Sequence, residues 1–273
     1  MSTATVLGGI TMWLELFKQT LHDQRKNWFW WALSLALYVL SLLAFYPSIK
    51  GDPSAAEIMN KLPESMKILF GTDLTSPAGY VGGKILSMMP ALLSVYAALT
   101  GAGLIAGAEA RGHLEFPLSH PISRRELLWG RTLALLVLTL GLGAVLFAAT
   151  WVGGQLFQAP LAFGHVLQTV AFHTLGAWLF GALALAVGAA TARSGLAASL
   201  GAGLGLLLMM LYSLTGQVKV LADLAWLNPW KYALGGAPLT HAAPLTPLLV
   251  CLLLGLALCA LATPRFAGRD IGR

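Results

Sequence analysis

The sequence predicts an all-α membrane protein with six transmembrane helices behind an N-terminal amphipathic elbow helix, and three observations predict it. Of its 273 residues 57% are hydrophobic and only 10% charged, with a mean hydropathy of +0.74, whereas a soluble domain carries about 25% charged residues. Several apolar runs reach the roughly 20 residues that a helix needs to cross a hydrocarbon core. Those runs lack the period-two alternation of a barrel strand, and lipid offers a bare backbone no partner, so they are helices.

The first ten residues lack the basic start and cleavage site of a signal peptide, so the first span is expected to serve as the insertion signal. Over 11–26, Trp13, Leu14, Phe17 and Leu21 oppose Glu15, Lys18, Gln19, His22 and Asp23. That pattern predicts an amphipathic helix lying in the membrane interface, the alternative being a solvated helix. Spans are expected at 28–46, 85–108, 132–152, 167–190, 196–216 and 244–262. The segment 47–84 is too polar to span, yet Ala55, Ile58, Met59, Leu62, Met66, Leu69 and Phe70 keep helical spacing. It reads as an interfacial helix bent near Pro63, then a turn over 75–79. The loop 217–243 is apolar but short, which suggests re-entrant short helices with Trp226, Trp230 and Tyr232 at headgroup level, or ordinary aromatic anchors. Pairs such as Gly103 and Gly107, Gly181 and Gly188, and Gly201 and Gly205 read as helix packing rather than a mapped dimer interface. Cys251 and Cys259 read as small buried hydrophobes.

Six spans put both termini on one side, and the basic residues identify that side. All nine Arg fall there with Lys18 and Lys26, while the six Lys of the other side include four in the long first loop. By the positive-inside rule both termini are cytoplasmic. The net charge of +6 therefore orients the chain and needs no nucleic acid to explain it.

No Asp, Glu, Lys or Arg lies within the six expected spans, whereas ion-coupled transporters and membrane-embedded enzymes keep ionisable groups there. His173, near Gln168 and Thr174, either lines a cavity or packs with its nitrogens hydrogen-bonded. The nearest approach to a phosphate-binding loop, Gly79 to Ile85, is one residue short and ends in Ile. Metal-ligand spacing, a nucleophile elbow and paired intramembrane carboxylates are likewise missing from the sequence. Uphill transport by such a chain requires energy from another one.

The densest charge lies in and just after 109–126, with Glu109, Arg111, Glu115, Arg124, Arg125, Glu126 and Arg131. Ser123 and Glu126 fit a capping box, so a helix starts at Ser123. Pro117 is expected to end a short helix running from about Ala108 to Phe116, and Pro121 stands ahead of the next one. The segment reads as a projecting knuckle that docks a partner, or as a polar turn whose Arg residues only set topology.

The stretch from Glu109 to Arg124 resembles the acidic-Arg-Gly-Thr-Leu-Glu and Pro-Val/Ile-Ser-Arg segment of ABC-2 type transporter permeases, the membrane subunits of many bacterial ATP-driven exporters. The amphipathic start, Tyr46 to Ile49 with Asp52 and Pro53, Asp73 to Tyr80, Leu227 to Pro229 and Phe266 to Ile271 are similar in kind and order. The resemblance implies an ABC-2 (type V) exporter-like fold in which elbow and knuckle dock on a separate ATP-binding subunit. Residue by residue, Glu109, Arg111, Gly112, Leu114, Glu115, Pro121, Ser123 and Arg124 occupy the motif, and Arg125 adjoins it. Ala110 and His113 depart, standing where a second acidic residue and Thr are usual.

The resemblance further implies a permease without its own ATPase site or cofactor, ATP and Mg being held by two copies of the partner. It would pair with a second permease as homo- or heterodimer among the lipids of the cell's inner membrane, without nucleic acid. Its expected work is export of a hydrophobic or amphipathic substrate. The alternative is a membrane-embedded lipid-modifying enzyme using His113, His120 or His173, against which the missing intramembrane carboxylates argue.

Overall fold

The computed structural model describes residues 3–50, 57, 61, 74–112, 123–235 and 239–269. Among these residues it contains helices and no strand. Six of the helices are long and apolar enough to cross a membrane.

The first helix, α1, runs without interruption over Thr3–Ile49, so the elbow expected at 11–26 and the span expected at 28–46 are one element. Neither Pro nor Gly stands between Thr11 and Tyr46, and charged Arg25 and Lys26 do not break a helix. The buried stripe also differs from the expected one. Leu16 and Thr20 are buried, and Leu16 joins an apolar cluster with Leu104, Leu127 and Leu128. Leu14 remains 38% exposed. The elbow's inward face thus meets the protein's own bundle. Farther along, the indole N–H of Trp28 donates to the Leu138 carbonyl at 2.9 Å.

The second helix, α2, spans Pro77–Ala110, beginning earlier than the expected residue 85. Ser76 accepts from the Gly79 N–H at 3.2 Å and Pro77 opens the helix. The Ser-Pro pair read as a turn is therefore a helix start, the N-terminal position where Pro loses no bond. Wider π turns occupy Val81–Ile85 and Gly103–Gly107, with a 3-10 turn at Leu86–Met88. The interfacial helix expected within 47–84, with its bend at Pro63, lies outside the described residues except for Glu57 and Lys61, which pair at 2.7 Å.

The third and fourth helices, α3 (Arg124–Leu156) and α4 (Phe163–Thr191), follow. A two-residue turn with Ala192 in the left-handed region then leads to α5 (Ser194–Ser213). In the loop after it, short helices α6 (Lys219–Asp223) and α7 (Trp230–Leu234) flank a 3-10 turn at Ala225–Leu227. Trp226 is 60% exposed, but Trp230 is fully buried and its N–H donates to the Gly205 carbonyl at 2.9 Å. Trp230 is therefore not a headgroup anchor. Asn228 explains why: its amide donates to the Leu208 carbonyl at 2.7 Å and its oxygen accepts from the Trp230 backbone at 3.0 Å, drawing the chain back into the bundle. Tyr232 stacks on Phe172. The last helix, α8, covers Thr246–Gly268 and passes through Pro264, beyond the expected end at 262.

The core is centred on α4, which packs against α2, α3, α5 and α8, while α1 leans mainly on α3. In α2 and α4, 72% of the most apolar window is buried, against 17% in α5 and α8. The outer pair therefore presents apolar rows, such as Leu200, Leu204 and Leu207 on α5, where a water-soluble protein would place polar side chains. Such faces suit lipid.

Candidate functional site

The charged segment is built at the end of the bundle where α2 finishes and α3 begins. The α2 helix stops at Ala110, and the helix end expected near Phe116 lies outside the described residues. Gly112 has a φ of +73°, a conformation that Gly adopts without strain, and its N–H donates to the Glu109 carbonyl at 2.9 Å. Leu114, Glu115 and Pro121, together with His113 and Pro117, lie outside the described residues. The described chain resumes at Ser123, whose capping box is complete. Its backbone N–H donates to the Glu126 carboxylate at 2.8 Å, and its hydroxyl oxygen accepts from the Glu126 N–H at 3.2 Å. This fixes the first turn of α3 and hence the directions of Arg124 and Arg125.

Those two arginines part company. Arg124 reaches the C-terminal end of α8, where its guanidinium donates to the carbonyls of Phe266 at 3.4 Å, Ala267 at 3.3 Å and Arg269. A cation there satisfies carbonyls that have no partner within the helix and complements the negative end of its dipole. Arg125 is exposed and rims a largely apolar cavity of about 580 Å³ with Trp13, Trp129, Leu133 and Leu256.

At the other end of the segment, Glu109 forms an ion pair with Arg269, their side chains 14% and 19% exposed. The Arg269 guanidinium also lies 5.9 Å from the Phe266 ring. Glu109 and Arg124 thus bracket the segment in sequence and meet the same short stretch of chain in space. Arg269 lies in the Phe266 to Ile271 stretch that the sequence singled out, but nothing there gave it a role or a partner. Its pairing joins positions 160 apart, and no local pattern reports such a contact.

Arg111 and Arg131 form a second group. Arg111 folds back toward Gly107, and Arg131, one face along α3, donates to the Leu104 carbonyl in the second π turn. His173 stands apart, on α4. It is fully buried, with Nδ1 2.8 Å from the Thr169 carbonyl and Nε2 3.0 Å from the Leu86 carbonyl. Those contacts make it a packing residue joining α4 to α2 rather than one that faces open space.

The arrangement contains fasteners and an exposed cation, and it brings no nucleophile and base together among the described residues. Compared with known families, residues 14–271 match the model described as ABC-2 family transporter protein. No curated protein matches the chain.

Proposed function

The chain belongs to the ABC-2 transporter protein family, and on that premise we propose that it is the permease subunit of an ATP-driven exporter. As a member of that family it is a multi-pass membrane component of an ABC transporter, working with a separate ATP-binding subunit and not itself the ATPase. Our reading goes further. The permease pairs with a second permease copy in the cell's inner membrane, both termini in the cytoplasm. Two ATP-binding subunits, holding ATP and Mg, dock on the segment 109–126, and a hydrophobic or amphipathic substrate leaves the cell.

One observation carries this reading: both edges of the segment are fastened to the last span, through Glu109 to Arg269 and through Arg124 to the end of α8. A surface so tied can pass a partner's movement to a transmembrane helix, and only contacts that differ between two states can shift their balance. Leu114, Glu115, Pro121 and Arg125 are then the partner-facing residues. Ser123 and Gly112 shape the segment, and Glu109 and Arg124 hold it.

Arg125 gives the sharper test, because reversing Arg124 would also unfasten α8. We expect Arg125→Glu to insert and melt like the parent chain but to lose most co-purification of its cognate ATP-binding subunit, a loss of about thirtyfold or more for a charge that the interface desolvates and hydrogen-bonds. Undiminished capture of the subunit would exclude Arg125 from the docking surface.

A further inference from the structure

A cavity of about 610 Å³ opens between the elbow part of α1, the end of α2 and the start of α3. Its lining divides by chemistry. Leu16, Leu104 and Ala108 supply one wall, while Gln19, Asp23 and Gln24 of α1 face Arg111 and Arg131 across the space. Arg131 carries a single hydrogen bond among the described residues, to the Leu104 carbonyl, although a guanidinium has five N–H donors. Arg111 opposes its charge and Asp23 answers it, and among the described residues Asp23 makes no ion pair with it. Among the described lining residues, two guanidinium groups share one carboxylate, a net positive charge. Removing such charge from water is costly without a counter-charge.

We propose that this cavity binds the phosphate headgroup of an anionic phospholipid from the cytoplasmic leaflet. Arg111 and Arg131 clasp the phosphate in the forked geometry that guanidinium groups offer to oxyanions. Gln19, Gln24 and Asp23 meet the hydroxyls of a glycerol headgroup, and the Leu16 and Leu104 side carries the first part of an acyl chain. Basic pockets between transmembrane helices on the cytoplasmic side hold headgroups in this way, and the volume falls within the range of small-ligand sites. The leaflet assignment rests on the topology given under Proposed function. The phosphate site itself does not, because it is tested on the permease alone, without ATP or an ATP-binding subunit.

The test is native mass spectrometry of the delipidated full chain titrated with phosphatidylglycerol, with phosphatidylcholine, or with inorganic phosphate. We expect phosphatidylglycerol to be retained in preference to phosphatidylcholine, and the preference to fall about fivefold on Arg111→Gln and about fivefold more when Arg131→Gln is added. Arg131→Lys keeps a point charge and should recover part of the loss. Arg111, exposed at the mouth, keeps the test decisive if Arg131→Gln fails to fold. Equal retention of the two lipids overturns the proposal, as does unchanged retention in Arg111→Gln. Inorganic phosphate binding as tightly as the lipid would make this a free-anion site and overturn it too. Displacement of bound phosphatidylglycerol by the cognate ATP-binding subunit would assign the cavity to that partner instead.

Discussion

Pro90 sits inside a membrane-crossing helix and has no N–H, so the Leu86 carbonyl four residues earlier loses its α-helical donor. The 3-10 turn supplies one bond to it, from the Met89 N–H, and His173 reaches it from α4 at 3.0 Å. A neutral imidazole has one N–H for the two carbonyls it faces. The Leu86 carbonyl is the one that Pro90 deprives of its ladder donor, so the tautomer protonated on Nε2 is the one that would serve that gap. We expect His173→Leu to cost about 1–3 kcal/mol, the range for stranding a buried polar group, read as a lowered melting temperature of the purified protein. In a Pro90→Ala background, which returns an N–H to the ladder, the same substitution should cost less. Equal costs in the two backgrounds would show that His173 does not serve the gap left by Pro90. The sequence offered both a packing and a cavity reading for His173. It could not choose, because the partner stands 87 positions away.

Helices, unlike single residues, were read largely from hydropathy, and the differences follow from what hydropathy measures. It marks where a chain suits lipid, not where its backbone ceases to be helical. So α1 absorbs the elbow, α2 begins at Pro77, and α8 runs on through Pro264. Glycine spacing was legible in the same partial way, because a spacing does not say which face meets a neighbour. Gly201 and Gly205 do pack, a Cβ on Gly205 falling 2.8 Å from the Ser94 side chain, whereas Gly103 faces open space. At the crossing of α2 on α4 it is backbone that comes close. There a Cβ on Gly101 would run into the Gly181 carbonyl, and one on Gly181 would lie 2.9 Å from Ala97. Backbone cannot swing aside as a side chain can. We therefore expect Gly101→Ala to destabilise by about 1–3 kcal/mol, while Gly103→Ala, two residues on, stays within about 0.5 kcal/mol of the parent. Thermal melts of the two variants in one detergent make the comparison, and matching losses would mean that the α2–α4 contact is looser than the close approach of the two backbones implies.

For the whole molecule the decisive contact is the one that closes the chain on itself. The sequence located the charged segment and the helix start at Ser123, because capping and charge are local. It did not locate the far attachment, because Glu109 and Arg269 are brought together only by the packing of α8 against α4 and α3. If that ion pair transmits motion, its sign should not matter so long as the two charges are opposite. Glu109→Arg leaves two guanidinium groups face to face, and Arg269→Glu two carboxylates. Each side chain is mostly buried, so each single variant should lose about 2 kcal/mol, below the 3–5 kcal/mol of a fully buried pair because water still reaches this one. The double variant Glu109→Arg with Arg269→Glu should recover most of that stability. It should also recover the rate of ATP hydrolysis by the bound partner subunit in vesicles, which both single variants reduce. Stability recovered without hydrolysis would make the pair a structural fastener only, and transmission would then fall to Arg124. That guanidinium holds the same end of α8 by carbonyls alone, so a charge swap at Glu109 and Arg269 leaves it intact, and a loss of coupling confined to Arg124→Ala would identify it.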